Sequence, residues 1–264
     1  DVLNQSISIL KDIGDIDRML AKISTLRISP RELNKFKQSL ILSNHLKSTL
    51  LKKTKSSVIK DLFVNYNSFQ VLINSLEKNL HEDAPIQLSK GQTINYGVNK
   101  ELDSYRELAI SSEEILEKIK EREIERTGIP SLKISYNNVF GYYLEVRNTH
   151  KDKVPIEWIR KQTLVSAERY ITEELKELEV KIINAKENIH LLEKKIYYNL
   201  ISSILPYISK IQITSELIAK FDCLISFAST AIKYNYSKPI VNEDYKIEIK
   251  NGRHPVIESQ LENK

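Results

Sequence analysis

Cysteine, methionine, tryptophan, glycine and proline are all scarce in this sequence, and each scarcity excludes something. A single cysteine, Cys223, forms no internal disulfide, which fits a reducing compartment. Six glycines and seven prolines in 264 residues leave little room for the frequent tight turns of an all-β chain, so helix is expected to dominate. No apolar run approaches the roughly 18 residues of a membrane span, and the mean hydropathy is negative, so a soluble chain without membrane contact is expected. The opening DVLNQSISIL has neither a basic n-region nor a long apolar run, so no secretory leader is expected. The absent initiator Met points to a piece of a longer protein.

Chemistry is missing as well. Gly14, Gly91, Gly97, Gly128, Gly141 and Gly252 are too scattered to cradle a triphosphate, and no G-x-x-x-x-G-K-S/T pattern occurs. His45, His81, His150, His190 and His254 are never closer than 36 residues, so a zinc site is not expected. Neither a G-x-S-x-G elbow nor a Cys/His signature appears, and no catalytic residue is assigned. Asp12, Asp15 and Asp17 form an acidic group, but acids at a helix start ordinarily answer the helix dipole or solvent.

What is present is helical periodicity. Ile7, Leu10 and Ile13 recur at helical spacing, and Ser29-Pro30-Arg31-Glu32 has the form of a helix N-terminus. The lysine-rich stretch near Leu50 to Lys60 fits helix ends or a loop, and the polar run from Gln87 to Gly97 is a break. Tyr105, Ala109, Ser112, Leu116 and Ile119 then form a seam of alternating 3 and 4 spacings, ended by Gly128-Ile129-Pro130. A stronger seam follows at Leu175, Leu178, Ile182, Ala185, Ile189, Leu192 and Ile196. Residues 100–127 and 172–204 are therefore expected to pack as antiparallel arms along these stripes.

Between the arms the character changes. Ser131 to Tyr136 and Val139 to Arg147 are rich in β-branched and aromatic residues, with Asn137-Asn138 as the turn. A short helix from Pro155 to Ile159 and a strand from Lys161 to Ser166 are expected to complete a small β module at the tip. Another helix is expected over 215–234, then a strand at Lys246 to Lys250 and a loop from Asn251 to Pro255.

Charge placement separates the tip from the rest. The chain has a modest net charge of +5, which selects no partner by itself. Residues 129–171 hold seven cations (Lys133, Arg147, Lys151, Lys153, Arg160, Lys161, Arg169) against four acids, so most of the excess sits in one small module. Thr149, Thr163 and Ser166 add hydroxyl donors. That set suits phosphate contacts, which position a nucleic acid without reading it, and equally suits a solvated rim. Tyr142, Tyr143 and Trp158 have the form of base-stacking residues, but a small sheet needs aromatics as core, and core packing is the reading taken.

Specific runs carry a family resemblance. Val139-Phe140-Gly141-Tyr142-Tyr143-Leu144, Arg160-Lys161-Gln162-Thr163-Leu164, and Ala167-Glu168-Arg169-Tyr170-Ile171 followed by Glu174-Leu175-Lys176-Glu177 resemble the clamp and following lever helix of the MutS mismatch-repair ATPases. Gly14 to Lys22 is similar to the opening of that family's core domain, and Gly252-Arg253-His254-Pro255-Val256 to the start of its ATPase domain. The resemblance implies a mainly α fold: a helical core bundle with two long antiparallel lever helices that carry a small β-rich clamp insertion at the tip. It implies first core and lever helices over 1–128, the clamp over 129–171, further lever and core helices over 172–237, and the start of the ATPase domain over 238–264.

The function implied is sequence-independent clamping of the duplex DNA backbone, with lever transmission. The candidate contacts are Lys151, Lys153, Arg160, Lys161, Thr163 and Ser166. Family members often carry Lys-Asn where this chain has Val165-Ser166, so Ser166 retains a donor there and Val165 does not. For a full-length protein the resemblance implies ATP and Mg, a homodimer, a MutL-type partner and a bacterial, cytoplasmic, nucleoid-associated location. This chain itself is expected to be no enzyme and to hold no cofactor. The competing reading is a helical scaffold whose β tip docks a protein.

Overall fold

The structure, a computed structural model, describes residues 2–261. The chain divides after Ile225 into two compact units, each described by itself.

The first unit begins with α1 (Val2–Asp12), α2 (Ile16–Ser24) and α3 (Pro30–Lys53). Local chemistry sets their ends. The Asp15 carboxylate accepts from the Arg18 backbone N–H at 2.9 Å and caps α2, while Asp12 and Asp17 lie exposed. Ser29 accepts from the Glu32 N–H, and the Glu32 carboxylate accepts from the Ser29 N–H at 3.1 Å. This capping box, with Pro30 at the first helical position, starts α3 as its sequence predicts. The lysine-rich stretch is the end of α3, a break at 54–56 and the short α4 (Ser57–Leu62); α5 (Gln70–Asn79) follows.

The apolar stripes of α2, α3 and α5 converge on Ile23, Leu33, Phe36, Leu40, Ile73 and Leu76, joined from far along the chain by Tyr197, Ile201 and Ile211. Tyr197 is fully buried, and its hydroxyl donates to the Ile28 carbonyl at 2.8 Å, which satisfies the one polar atom this ring brings inside. Residues 87–97 break the helical pattern, with a 3-10 turn at Leu88–Lys90 and a bridge between Leu80 and Ile94.

Two long helices leave this core, α6 (Lys100–Thr127) and, after the intervening sheet, α7 (Glu173–Ser202). Asn99 and Thr172 cap them, accepting from the Leu102 and Leu175 N–H groups at 2.8 and 3.2 Å. Gly128, at φ 61°, ends α6 in the left-handed conformation that favours glycine. Three ion pairs bridge the helices, Arg122–Glu174, Glu113–Lys186 and Arg106–Glu193. As the number falls on α6 it rises on α7, so the helices are antiparallel. Leu175, Leu178, Ile182 and Ala185 are buried along the predicted seam, whereas Ile189, Leu192 and Ile196 are half-buried against the core. At 1.5 Å per residue, α7 is about 45 Å long. Helix α8 (Ile208–Tyr234) begins earlier than the 215–234 expected from sequence.

Between α6 and α7 lie β1 (Lys133–Asn137), β2 (Gly141–Arg147), a 3-10 segment at Asn148–Lys153, β3 (Ile159–Thr163) and β4 (Ala167–Ile171). They form one antiparallel sheet in the order β1-β2-β4-β3. Asn137 accepts from the Val139 and Phe140 N–H groups at 3.0 and 2.7 Å and closes the β1–β2 turn. Gly141 has φ 74°, and a Cβ there would collide with the Glu179 carboxylate, so glycine permits both the turn and the close passage of α7. Leu144, Val146 and Tyr170 pack with Trp158 against Ile119, Leu175, Leu178 and Ile182. Trp158 is buried in this cluster and Tyr142 packs partly buried on it, as the core reading expects, whereas Tyr143 is buried outside the cluster with Arg169 over its ring.

Three sequence expectations fail, all for reasons of pairing. Pro155 to Trp158 is a turn rather than a helix, because the chain must reverse quickly to bring Ile159 opposite Ile171. The strand expected over 161–166 is shifted: β3 ends at Thr163, residues 164–166 form a turn, and Ala167–Ile171 is a further strand.

The third failure lies in the second unit, whose described residues are 226–261. Lys246 to Lys250 alternates but is not a strand; among the described residues it has no neighbouring strand, and Ile247 and Ile249 stay exposed. The expected loop at Asn251 to Pro255 ends in α9 (Pro255–Leu261), with Pro at its start. Arg253 donates to the Tyr234 and Asn235 carbonyls at 2.9 Å and pairs with Glu258.

Candidate nucleic-acid interface

Residues of α6 and α7 pack on the face of the sheet that carries Leu144, Val146 and Tyr170, and the sheet's cations sort by what they already hold. Arg169 is committed. Its guanidinium donates to Glu145 at 3.1 Å and Gln162 at 2.9 Å and lies 4.5 Å from the centre of the Tyr143 ring. Lys153 donates to the Gly128 carbonyl at 3.1 Å and so serves the end of α6. Arg160 pairs with Glu168 at 3.3 Å but keeps most of its side chain in solvent.

Glu168 is itself unusual. It is buried, it accepts a hydrogen bond from the Tyr170 hydroxyl, and that bond, with the nearby charges of Arg160 and Lys151, holds its carboxyl below the usual range. Burial first, and then the Glu168 carboxylate, push the Tyr170 hydroxyl up to about 12. The carboxylate therefore stays charged at neutral pH and orients Arg160 at the rim.

The six predicted contacts fall into three places. Arg160, Lys161 and Thr163 lie on β3, an edge strand. Ser166 lies on the β3–β4 turn, and Lys151 and Lys153 lie on the 3-10 segment after β2. The β3–β4 register passes from Arg160↔Tyr170 to Gln162↔Arg169, which leaves Lys161 as the extra residue of a bulge. A bulge re-aims a side chain and blunts an edge against further pairing. Lys151 and Lys161 have no ion pair among the described residues, and both are exposed.

Ser166 is positioned by a residue that sequence reasoning missed. Asn148 donates from its backbone N–H to the Ser166 carbonyl at 3.1 Å and from its side chain to the Val165 carbonyl at 2.9 Å. The turn is closed by Leu164, whose N–H donates to the Ala167 carbonyl at 2.8 Å. Sequence reasoning counted Lys133 and Arg147 as charge but placed neither in the site. The signal was present in the hairpin: a turn after Asn137 pairs Lys133 with Glu145, so Lys133 and Arg147 share one face.

No group of His, Cys, Asp or Glu that could hold a metal occurs among the described residues, nor is any helix among them long and apolar enough to cross a membrane.

Comparison with known proteins follows the same segment. The family model described as MutS family domain IV matches residues 97–188, which contain the whole of α6, the whole sheet and the first half of α7. The DNA mismatch repair protein MutS of Flavobacterium johnsoniae is 49% identical over 252 residues, covering 96% of this chain and 29% of that protein. MutS of Flavobacterium psychrophilum is 48% identical over 261 residues, 99% of this chain and 30% of the relative. MutS of Parabacteroides distasonis is 48% identical over 252 residues, 96% of this chain and 29% of the relative. The chain thus spans less than a third of the length of these relatives. An antiparallel helical pair with a basic four-stranded sheet at its end, a domain IV match over that segment and near-half identity along almost its whole length make this chain a member of the MutS family.

Proposed function

We propose that this chain clamps duplex DNA by its phosphate backbone without reading sequence, and that α6 and α7 act as levers for the clamp. In this reading residues 129–171 are the clamp, 1–128 and 172–237 supply core and lever helices, and 238–264 begin an ATPase domain. One observation carries it. Lys151 on the 3-10 segment and Lys161 on β3 are exposed with no ion pair among the described residues, and the half-free Arg160 and the hydroxyls of Thr163 and Ser166 belong to the same small module at the end of the helical pair. Exposed cations with no ion pair among the described residues are what phosphate contacts need. The relatives' name, DNA mismatch repair protein, agrees with that ligand.

ATP and Mg chemistry, a homodimer, a MutL-type partner and a cytoplasmic, nucleoid-associated location are proposed for a longer protein of the relatives' length. The residues present here do not fit a nucleotide, because the scattered glycines make no phosphate loop, and no step through ATP involves this chain's own side chains. The test is the salt dependence of duplex affinity. Three ionic contacts, from Lys151, Arg160 and Lys161, give a slope of log affinity against log salt of roughly −3, by about −0.9 per neutralised phosphate. Replacing Lys151 and Lys161 together with Gln flattens it by about two and weakens all duplexes alike. A protein-docking tip would show no such change, and a preference among duplex sequences would contradict backbone clamping.

A further inference from the structure

We infer that the clamp sheet carries a second, recessed phosphate seat, a cleft of 240 Å³ lined by Ser131, Lys133, Glu145, Arg147, Ser166 and Ala167. The inference rests on the reading of the sheet as a DNA clamp and adds the place where a backbone phosphate sits.

The register builds the cleft. Lys133 stands opposite Glu145, and Arg147 stands opposite Ala167 on the next strand. Residues opposite one another, and residues two apart on a strand, share a face, so Lys133, Glu145, Arg147 and Ala167 look out together from the sheet. Ala167 is buried and small, and this leaves a floor over which the Arg147 guanidinium can swing. Ser166 closes the end of the cleft, its turn tied to Asn148 by two hydrogen bonds.

Electrostatics select an anion. The one acid in the lining, Glu145, is paired with Arg169 at 3.1 Å, so its charge is largely offset. The Lys133 and Arg147 side chains have no ion pair or hydrogen bond among the described residues and are exposed, so both positive charges remain available. The Ser131 hydroxyl is buried without a hydrogen-bond partner, an unspent donor in the wall. Two cations and two hydroxyls around a small polar hollow match a tetrahedral dianion or diester, and Arg supplies the planar fork that grips two of its oxygens. Lys133 lies on edge strand β1 and Lys161 on the opposite edge strand β3.

The experiment measures duplex affinity by fluorescence anisotropy over a range of salt, with the chain as it stands and duplexes of two unrelated sequences. If the seat is used, it adds two ionic contacts, so the parent slope is steeper than −3, near −4.5 by about −0.9 per phosphate. The double variant Lys133→Gln with Arg147→Gln then returns the slope to roughly −3 and weakens both duplexes equally. Ser166→Asp, which places a carboxylate in the cleft from an exposed turn position, weakens binding without altering the circular dichroism spectrum. A parent slope near −3 that the double variant leaves unmoved overturns the seat while the clamp stands. Absence of duplex binding by the parent overturns the clamp and the seat together.

Discussion

Arg106 and Glu193 face each other at the root of the helical pair, with Nη2 2.6 Å from Oε1, and the Glu193 side chain is 1% exposed. Their surroundings make the pair a junction. Arg106 also donates to the Ile94 carbonyl at 2.7 Å, pairs with Asp103 at 3.1 Å and covers the Tyr96 ring, while Glu193 accepts from the Thr93 N–H at 3.3 Å. Two helices and the 88–98 segment that precedes α6 are thereby tied at one point. Removing one partner of a buried pair leaves the other charge without compensation, which costs about 3–5 kcal/mol. Glu193→Ala is expected to lower the unfolding free energy by that amount, read as a lower urea midpoint, and Glu193→Gln, which keeps an acceptor for Arg106, by clearly less. Equal midpoints for the two variants would show that the charge is not what holds the junction.

The seam between α6 and α7 is not uniform along its length. Ile182 is 2% exposed in the cluster beneath the sheet, whereas Ile189 is only half-buried. Asp at 182 must sit uncompensated in an apolar site and is expected to cost several kcal/mol. Asp at 189 can turn its carboxylate to water and is expected to cost much less. Chemical unfolding of both variants checks the order, and the reverse order would misplace the seam.

These two cases show why some of the structure was legible in the sequence and some was not. The ends and stripe of α7 follow from Thr172, the 3 and 4 spacing and a lack of glycine, all local signals, and the structure agrees. Whether Ile189 is fully covered depends on what lies across from it, which spacing does not record. Pairing is non-local in the same way: β4 was hidden within a motif, and the alternation of Lys246 to Lys250 meets no neighbouring strand. In the candidate site, composition picked out the basic tip, but composition counts charges without showing which are spent. Arg169 on Glu145 and the bulge at Lys161 follow only from register, and Lys153 on Gly128 only from the way the 3-10 segment meets the end of α6.

Acid should loosen the start of α3. The Lys22 amino group, by its hydrogen bond, and then the Ser29 backbone and hydroxyl lower the Glu32 carboxyl from 4.5 to about 2, against a smaller opposing effect of burial. A carboxyl depressed in the folded state adds stability above its unfolded value and loses it as pH falls through the folded value. The contribution of Glu32 is therefore complete above about 4.5 and disappears as pH approaches about 2. Thermal melts between these limits are expected to show a smaller pH dependence for Glu32→Gln than for the parent. At neutral pH the same variant should melt slightly lower, since the capping box keeps an acceptor but loses its charge.

Asn148 is expected to matter more for binding than for stability. Asn148→Ala removes the bond from its side chain to the Val165 carbonyl and leaves the backbone bond to Ser166 in place. One such bond contributes about 1 kcal/mol, so the urea midpoint should move little. The turn that presents Ser166 loses one of its two ties, so duplex affinity should fall several-fold without a change in sequence preference. A loss of stability with unchanged affinity would make Asn148 a structural residue only.

Val165 offers a test in the opposite direction, a gain of contact. Its side chain is fully exposed at the tip of the β3–β4 turn, beside Ser166, and nothing packs on it. Lysine at this position therefore removes no buried apolar surface and creates no buried charge, so folding stability should hold within about 0.5 kcal/mol, the range of ordinary surface changes. If the turn lies against a phosphate backbone, the new ammonium adds one ionic contact. Val165→Lys is then expected to tighten duplex binding and to steepen the slope of log affinity against log salt by about 0.9. Val165→Gln, of similar reach without the charge, controls for bulk and should leave the slope unchanged. Binding that tightens equally in both variants would point to contact area rather than phosphate. An unaltered slope in Val165→Lys, with the parent binding duplex, would move the DNA away from this turn and toward the far edge of the sheet.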